Sequence, residues 1–301
     1  MARNEPTGDR VLKGLGLRLF AILCLASMAA LIKLSEAHGA RLGEIMFFRQ
    51  FCAIPLVLTF VAATAGLSSL RTQRIGAHAT RTIVGLMGMV CNFGSLTLLP
   101  LAEATTLQFT APIFATILSA ILLHERTGWH RWGAVAAGFV GVLIVAQPGG
   151  GDIPLFGAMV GLGAAFFVAL IAILLRQIGK TEGAGTTVFW FSTLSIPPLG
   201  AVYAFQAQPH DLTTWAMLVA IGIAGGAGQI SLTAALRFAP VSAAVPMDYS
   251  SLIWATVYGF LLFGVLPTTA TLIGAPIIIA SGLYIVWREH RLARNRAARA
   301  A

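Results

Sequence analysis

Ionisable side chains are scarce in the long apolar stretches of this sequence, and the few that are present are the first candidates for function. They are Lys33, Glu44, Arg49, Glu103 and Asp248. A charge surrounded by hydrocarbon is costly, so such a residue usually faces a water-filled cavity, pairs with an opposite charge or moves an ion. These positions therefore indicate either a solute pathway or a set of internal ion pairs.

The surroundings of each charge leave a structural alternative open. The first three lie near the ends of two apolar stretches, where they could form an interfacial salt-bridge set, although Arg49 is the deepest and the best candidate to face a cavity. Glu103 closely follows Pro100 and could stabilise a helix N-terminus. Asp248 lies deeper, just after Pro246, and we favour a cavity-facing or gating role for it. A buried pair with an Arg or Trp donor is its alternative.

Neutral polar and aromatic side chains in the apolar stretches are candidates for binding a small polar solute. The amides of Asn92, Gln108 and Gln229 could hydrogen-bond to the amino and carboxyl groups of a zwitterion, or they could link neighbouring helices. The aromatic candidates are Phe109, Trp190, Tyr249, Trp254 and Tyr258. Each aromatic ring could line a pocket, and packing or contact with lipid is the alternative for each.

The elements that carry these residues must be membrane helices. The chain is 57% hydrophobic and 10% charged, with a mean hydropathy of +0.83, whereas a soluble domain carries about 25% charged residues. A helix needs about 20 apolar residues to cross a bilayer, and ten stretches meet that length. We therefore predict an all-α polytopic membrane protein with ten transmembrane helices. Their approximate bounds are 15–34, 44–65, 82–99, 103–123, 131–147, 154–176, 186–206, 214–236, 241–263 and 269–287.

The positive charges predict the orientation of the chain. With the N-terminus in the cytoplasm, all of the 20 Lys and Arg residues except Lys33, Arg41 and Arg49 fall on the inner side. We therefore expect both termini to be cytoplasmic, in a cell inner membrane. The first apolar stretch is too long for a signal-peptide core, so we expect it to be a retained helix.

Several other functions are disfavoured by what the sequence lacks. There is no Gly-x-x-x-x-Gly-Lys-Ser/Thr phosphate loop for a primary pump. Every histidine falls in a predicted loop or at a helix end, and the cysteines lack metal-ligand spacing. We therefore predict no catalytic residues, metal or cofactor, and no nucleic-acid partner, because no soluble domain remains to bind one. A membrane enzyme or a channel is the alternative from another class.

An internal repeat appears when the chain is compared with itself at an offset of 140 residues. The matched positions include Gly85 with Gly225, Gly88 with Gly228, Pro100 with Pro240, Phe109 with Tyr249 and Ile113 with Ile253. The chain then divides into a tail (1–13), a first repeat (14–148), a second repeat (154–287) and a basic tail (288–301). Five helices per repeat would give the two halves opposite orientations, an arrangement typical of secondary transporters.

The stretch PLAEATTLQFTAPIF from Pro100, continued through LLHER at Arg126, resembles the EamA module of the drug/metabolite transporter superfamily. So do APVSAAVPMDYSSLIW from Ala239 and EIMFFR from Glu44. The resemblance implies two inverted five-helix halves around a central cavity. In one departure, Val265 stands near the position in the second half that Glu125 occupies in the first, so a loop stabilised by that glutamate would differ here.

The same resemblance guides what we expect the protein to do. Members of this family export amino acids, including aromatic ones, or carry other metabolites. We therefore expect an alternating-access transporter or exporter of a small metabolite, in the first place an amino acid. Riboflavin, S-adenosylmethionine, a metallophore or a drug are the alternatives. A proton is the candidate coupling partner, and both a monomer and a homodimer stay open.

Overall fold

The computed structural model describes residues 8–122, 129–147, 153–179, 181–235, 238 and 245–300, and the regular structure in these residues is helical. Two 3₁₀-helices span Leu67–Leu70 and Val245–Ser250. The α-helices are α1 (Gly8–Ala37), α2 (Leu42–Phe51), α3 (Ala53–Thr64), α4 (Ile75–Leu98), α5 (Leu101–Gln108), α6 (Ala111–Leu122), α7 (Trp129–Ala146), α8 (Leu155–Ile178), α9 (Ala184–Gln206), α10 (Leu212–Ala235), α11 (Ser251–Phe263) and α12 (Thr269–Ala300).

Eight stretches of the described residues are long and apolar enough to cross a membrane. They are Leu12–Ala37, Leu42–Thr64, Ile75–Leu98, Leu101–Ile121, Leu155–Leu175, Ala184–Gln206, Leu212–Ala235 and Thr269–Arg288. The apolar helix Trp132–Ala146 is shorter. The expected all-helical membrane fold is confirmed, and the count of ten stays a prediction, because residues 241–244 of the ninth expected span lie outside the described residues.

The helix ends differ from the expected ones at both termini. α1 begins at Gly8, so residues 8–13 of the expected tail are helical, and α12 continues to Ala300, beyond the apolar stretch that ends at Arg288. The break at Pro100 is confirmed, since α4 ends just before it and α5 begins just after it. Glu125 and Pro240 lie outside the described residues.

Two of the membrane stretches are interrupted because of their prolines and turns. Pro55 has no N–H to donate to the carbonyl of Phe51, four residues before it, so α2 ends at Phe51. Pro55 itself lies in the first turn of α3, where an N–H has no partner within the helix. Between α5 and α6 the backbone amide of Phe109 donates to the carbonyl of Thr106, and the hydroxyl of Thr110 donates to the carbonyl of Leu107 at 2.6 Å. Such irregular backbone is tolerated at membrane depth only inside the protein or beside a cavity.

The helices associate in pairs that bring distant parts of the chain together. α1 packs on α10, α4 on α8, α2 and α3 on α9, α5 on α11, and α7 on α12. At the first of these pairs, Gly228 of α10 faces Leu25 and the carbonyl of Ala21 in α1. At the second, Gly88 of α4 faces Phe167 of α8. Glycines let membrane helices approach closely.

Polar side chains fix the start of one helix and the crossing of two others. Asp211 precedes α10 and accepts hydrogen bonds from the hydroxyl of Thr214 at 2.5 Å and from its backbone amide at 3.0 Å. These hydrogen bonds hold the pKa of Asp211 below its ordinary value, since they favour the carboxylate. At the α7–α12 crossing, the hydroxyl of Ser281 donates to the carbonyl of Ala134 at 2.6 Å.

We predict that Gly274→Ala destabilises the protein by about 1–3 kcal/mol, the usual cost of overpacking a close contact. A Cβ at this position would lie 2.5 Å from Cγ2 of Val145 and 2.7 Å from the carbonyl oxygen of Gly141, and the backbone oxygen cannot move aside easily. The matched control is Gly133→Ala on α7, where nothing lies within 4 Å. Thermal unfolding in detergent should show a lower midpoint for Gly274→Ala only; equal midpoints for the two variants would contradict this account of the crossing.

Candidate functional site

The largest described cavity has a volume of about 440 Å³ and lies between α1, α4, α5, α6, α8, α10 and the segment from Val245 to α11. This volume is within the range of pockets that enclose small molecules. Its wall is mainly apolar, with few polar groups. The polar members are Arg18, Asn92, Thr105, Gln108, Asp248, Tyr249 and Ser251. We call this space the central cavity.

An ion pair between Arg18 and Asp248 forms one part of the central cavity wall. Nε of Arg18 donates to Oδ1 of Asp248 at 2.7 Å, and Nη2 donates to Oδ2 at 2.5 Å. This is the bidentate geometry that makes an arginine–carboxylate pair strong and directional. The arginine side chain is 10% exposed and the aspartate side chain is 38% exposed. Both charges are therefore satisfied by each other and remain within reach of a solute.

An amide pair faces the same cavity from α4 and α5. The side-chain nitrogen of Asn92 donates to Oε1 of Gln108 at 3.4 Å, and the nitrogen of Gln108 donates to Oδ1 of Asn92 at 3.2 Å. Gln108 is the last residue of α5, so the break between α5 and α6 brings its amide to the cavity. The two amides leave hydrogen-bonding capacity for a polar solute, because each NH₂ group has two donors.

An aromatic pair completes the wall at the two helix interruptions. Phe109 follows α5 and Tyr249 belongs to the 3₁₀-helix, and their ring centroids are 4.8 Å apart at an interplanar angle of 65°. Aromatic rings favour this edge-to-face geometry, because the electron-rich face of one ring attracts the electropositive edge of the other. Phe109 and Tyr249 are also matched positions of the internal repeat.

The other three aromatic candidates lie outside the lining of the central cavity. Nε1 of Trp190 donates to the carbonyl of Leu70 at 2.9 Å, near a loop. The hydroxyl of Tyr258 is 2.7 Å from Oγ of Ser27, and Trp254 is its neighbour with ring centroids 6.4 Å apart. These contacts join helices and loops. That the three rings bind the solute stays a prediction.

A second cavity of about 220 Å³ lies toward the other end of α1. Lys33 lines it and donates to the carbonyls of Leu96 at 3.0 Å and Leu99 at 2.8 Å, where α4 ends and its carbonyls lack helical partners. Arg18 and Lys33 are 15 positions apart, or about 22 Å along α1. Leu101 is 2% exposed and lines both cavities. It is therefore part of the wall between them.

Two acidic candidates act as hydrogen-bond acceptors for loops. Oε1 of Glu103 accepts from the backbone amide of Thr268 and from the hydroxyl of Thr271, both at 3.0 Å. Glu44 is fully buried and accepts from the amides of Arg41 and Gln208 at 2.8 and 3.0 Å. His210 also lies 3.1 Å from Glu44. Glu103 lines the second cavity, whereas Glu44 lines none of the described cavities.

The remaining polar candidates, Arg49 and Gln229, line a third and smaller cavity together with Arg81. Sequence reasoning missed both Arg18 and Arg81 as site residues, because it counted them among the inner loops and tails. A signal for Arg18 was present, since Arg18, Ile22, Leu25 and Ala29 recur at the spacing of one helical face and all line the central cavity. The prediction of orientation counted only the charge of these residues and did not consider which face of the helix carries them.

An all-helical membrane protein with a solute-sized internal cavity is the class that this fold and site define. The sequence matches the EamA-like transporter family over residues 12–147 and 155–287, so the chain belongs to that family, within the drug/metabolite transporter superfamily. A transporter of small metabolites is indicated, and not an enzyme. The expected family is therefore confirmed.

Several relatives extend this comparison over most of the chain. A riboflavin transporter of Vibrio cholerae is 29% identical over 81% of this chain and 83% of its own length. An S-adenosylmethionine uptake transporter of Rickettsia conorii is 28% identical over 91% and 93%. A pseudopaline exporter of Pseudomonas aeruginosa is 27% identical over 91% and 95%. One crystal structure covers 94% of this chain and 98% of its own at a TM-score of 0.57 and 19% identity, which shows a shared fold.

We predict that Leu101→Ala opens the wall between the central and second cavities. The reporter is Gln108→Cys in a background whose native cysteines, Cys24, Cys52 and Cys91, are replaced by alanine. A membrane-impermeant maleimide applied from the face on which Pro267 lies should label this cysteine several-fold faster in the Leu101→Ala variant. The control is Leu266→Ala, since Leu266 lines the second cavity only. An unchanged labelling rate would show that Leu101 is not the barrier.

Proposed function

We propose that this chain is a secondary transporter of zwitterionic amino acids, including aromatic ones, and that the substrate binds in the central cavity. The observation that carries the proposal is the Arg18–Asp248 ion pair beside the Phe109–Tyr249 ring pair. A guanidinium is complementary to an α-carboxylate, and a carboxylate is complementary to an α-ammonium. The rings and the apolar wall would hold the side chain of the amino acid.

The charge balance of the cavity supports a solute without net charge. Arg18 and Asp248 cancel, so the cavity is neutral as a whole. A zwitterion that separates the pair replaces one ion pair with two and leaves neither charge without a partner. A solute with only one of the two charges would leave either Arg18 or Asp248 unpaired, and the cost is larger for Arg18, whose side chain is only 10% exposed.

A second candidate substrate is S-adenosylmethionine, which carries an amino-acid zwitterion, a sulfonium cation and a planar base. Its sulfonium adds a positive charge that the neutral ion pair does not balance. It is supported by the S-adenosylmethionine uptake transporter that is 28% identical over 91% of this chain. The same ion pair would bind its amino-acid group, and the rings would contact the adenine. Riboflavin lacks such a zwitterion, so it fits the ion pair less well, although the Vibrio cholerae relative is a riboflavin transporter.

The proposed mechanism is alternating access between two inverted five-helix repeats, 14–148 and 154–287. The helix contacts support it, because each contact has a counterpart in which every helix is replaced by the corresponding helix of the other half. α1 packs on α10 as α8 packs on α4, and α1 contacts α11 as α8 contacts α6. The glycine contacts follow the same pattern, with Gly228 facing Leu25 and Gly88 facing Phe167. Two related halves can form two related states, each open to a different side.

The proposal assigns a role to each end of the pathway. The Arg18–Asp248 pair lies toward the cytoplasmic face of an inner membrane, and the layer that contains Leu101, Lys33 and Glu103 lies toward the outer face. Asp248 and Glu103 are the candidate carriers of a coupled proton. Without coupling, the protein would act as a facilitator in the direction of the solute gradient.

Purified protein in liposomes tests the substrate class. Labelled tryptophan should cross at a saturable rate, and phenylalanine should compete. Tryptamine lacks the carboxylate and indole-3-propionate lacks the ammonium, so both should compete at least about tenfold more weakly, since each leaves one charge of the pair without a partner. Strong competition by S-adenosylmethionine with none by tryptophan would favour the second candidate. Saturable riboflavin transport with no zwitterion competing would reject both.

Variants of the ion pair sharpen the same prediction. Arg18→Gln should remove the preference for tryptophan over tryptamine, because Gln cannot pair with the carboxylate as a charge. Asp248→Asn should remove the preference for tryptophan over indole-3-propionate. It should also weaken transport or the dependence of transport on pH. The controls are Arg71→Gln, at an exposed position, and Asp211→Asn, outside the central cavity. If Asp248→Asn transports like the wild type with an unchanged pH profile, Asp248 has no part in the mechanism.

Topology is tested with single cysteines. A cysteine at Gly150 should react with an impermeant reagent only from the outside, and a cysteine at Gly183 only from the inside, because one predicted span separates them. Both termini should be accessible from the inside only. Labelling of residue 150 from the same face as the N-terminus would contradict five spans in the first repeat and hence the inverted arrangement.

A further inference from the structure

Two arginines, each within a stretch that is long and apolar enough to cross a membrane, face one small cavity apart from the central cavity. The cavity has a volume of about 80 Å³, and Arg49 of α2 and Arg81 of α4 line it. Ser192 of α9 and Gln229 of α10 complete its polar lining. The site is thus formed by both segments that match the family, 12–147 and 155–287.

Neither arginine is neutralised by an acidic side chain in the described part of the chain. The ion pairs there join Arg18 with Asp248, His78 with Glu182 and His210 with Glu44. Glu103 accepts hydrogen bonds from Thr268 and Thr271, and Asp211 accepts them from Thr214. An arginine stays protonated in a protein, so the small cavity carries two positive charges.

Both guanidinium groups retain donors without acceptors. Nη1 of Arg49 donates to Oε1 of Gln50 at 2.7 Å, but its Nε is buried and has no partner among the described residues. The guanidinium of Arg81 lies 3.6 Å from the centre of the Phe191 ring, and its Nε and Nη1 are also buried without partners there. A buried donor left unpaired destabilises the folded protein, and more so when its group is charged.

The surrounding backbone leaves room for these two side chains. A Cβ on Gly225 would lie 3.4 Å from Nε of Arg49, and a Cβ on Gly85 would lie 2.8 Å from Nη1 of Arg81. Gly85 and Gly225 are matched positions of the internal repeat, so each half contributes one glycine beside one arginine. The close fit indicates that the positions of the guanidinium groups are built into the fold.

We propose that this cavity binds one compact anion, a halide such as chloride or a small carboxylate such as formate, between Arg49 and Arg81. Two like charges in a membrane interior need a counter-charge, and the arginine fork supplies donors for it. A cavity needs about 10–15 Å³ of this kind of volume to hold one water, so 80 Å³ admits a small anion or several waters. A nucleotide or a large organic anion would not fit.

Thermal unfolding of the purified protein in detergent tests the proposal. Sodium gluconate, whose anion is too large for the cavity, is exchanged for sodium chloride or sodium formate at constant sodium. The unfolding midpoint of the wild type should rise with the small anion and then saturate, because an anion that binds only the folded state stabilises it. No saturable difference between gluconate and both small anions would overturn the proposal.

Variants separate anion binding from a purely structural role. Arg49→Gln and Arg81→Gln should each raise the half-saturating anion concentration at least about tenfold, because binding is weaker. Neither variant should be less stable than the wild type in gluconate, since one of two like charges is gone. Arg49→Lys keeps the charge, so its unfolding midpoint should still rise with the small anion as it does in the wild type. The control Arg71→Gln should behave as the wild type. If the small anion raised the unfolding midpoint of both glutamine variants as much as that of the wild type, the proposal would be overturned.

Equilibrium binding of radioactive chloride to the wild type supplies a result that does not depend on how the variants fold. About one saturable site per chain is expected from the single cavity. Displacement by formate but not by gluconate would assign both small anions to one site, and displacement by neither would limit the site to halides. An absence of saturable chloride binding together with an absence of a formate-dependent shift would reject the anion site.

Discussion

Hydrocarbon offers no hydrogen-bond partners, and this constraint explains both the regular and the irregular parts of the structure. Where the chain is regular, the helices satisfy their own backbone. Where a helix ends, a side chain takes over: Lys33 donates to the carbonyls of Leu96 and Leu99 at the end of α4, and Glu103 accepts from the amide of Thr268 before α12. The two interruptions at Phe109 and Tyr249 lie beside the central cavity, where water or a solute can complete the hydrogen bonding.

The same constraint separates the cavities by their charge. In the central cavity the ion pair makes the wall neutral, so a neutral or zwitterionic solute can enter without leaving a charge unpaired. In the small cavity, Arg49 and Arg81 have no acidic partner among the described residues, so its charge favours an anion as the occupant. Charge balance is therefore a stronger guide to the occupant of each cavity than its volume, since both cavities could hold water.

The sequence predicted the fold class well and the site unevenly, for physical reasons. Hydropathy identifies a membrane helix because the whole stretch must be apolar, and Pro100 marks a break because proline lacks an amide hydrogen. Which helices face each other depends on packing between distant segments, which a single stretch does not encode. Asp248 could thus be recognised as a charge within an apolar stretch, but its partner Arg18, 230 residues away in the chain, could not be identified from spacing.

The division of charges between the two halves adds an energetic argument to the proposed symmetry. In the described residues, Arg18, Lys33, Arg49, Arg81 and Glu103 all belong to the first family-matched segment, and Asp248 is the ionisable partner that the second contributes to the central cavity. The repeat offset pairs Arg81 with Ile221, which is fully buried. Exchanging the roles of the halves would therefore replace charged contacts with apolar ones, and the two states would differ in free energy. A ligand shifts such an equilibrium only by its differential affinity for the two states. In the proposed mechanism, a substrate that takes the place of the Arg18–Asp248 bond would change this state-specific contact directly and so supply that difference where it binds.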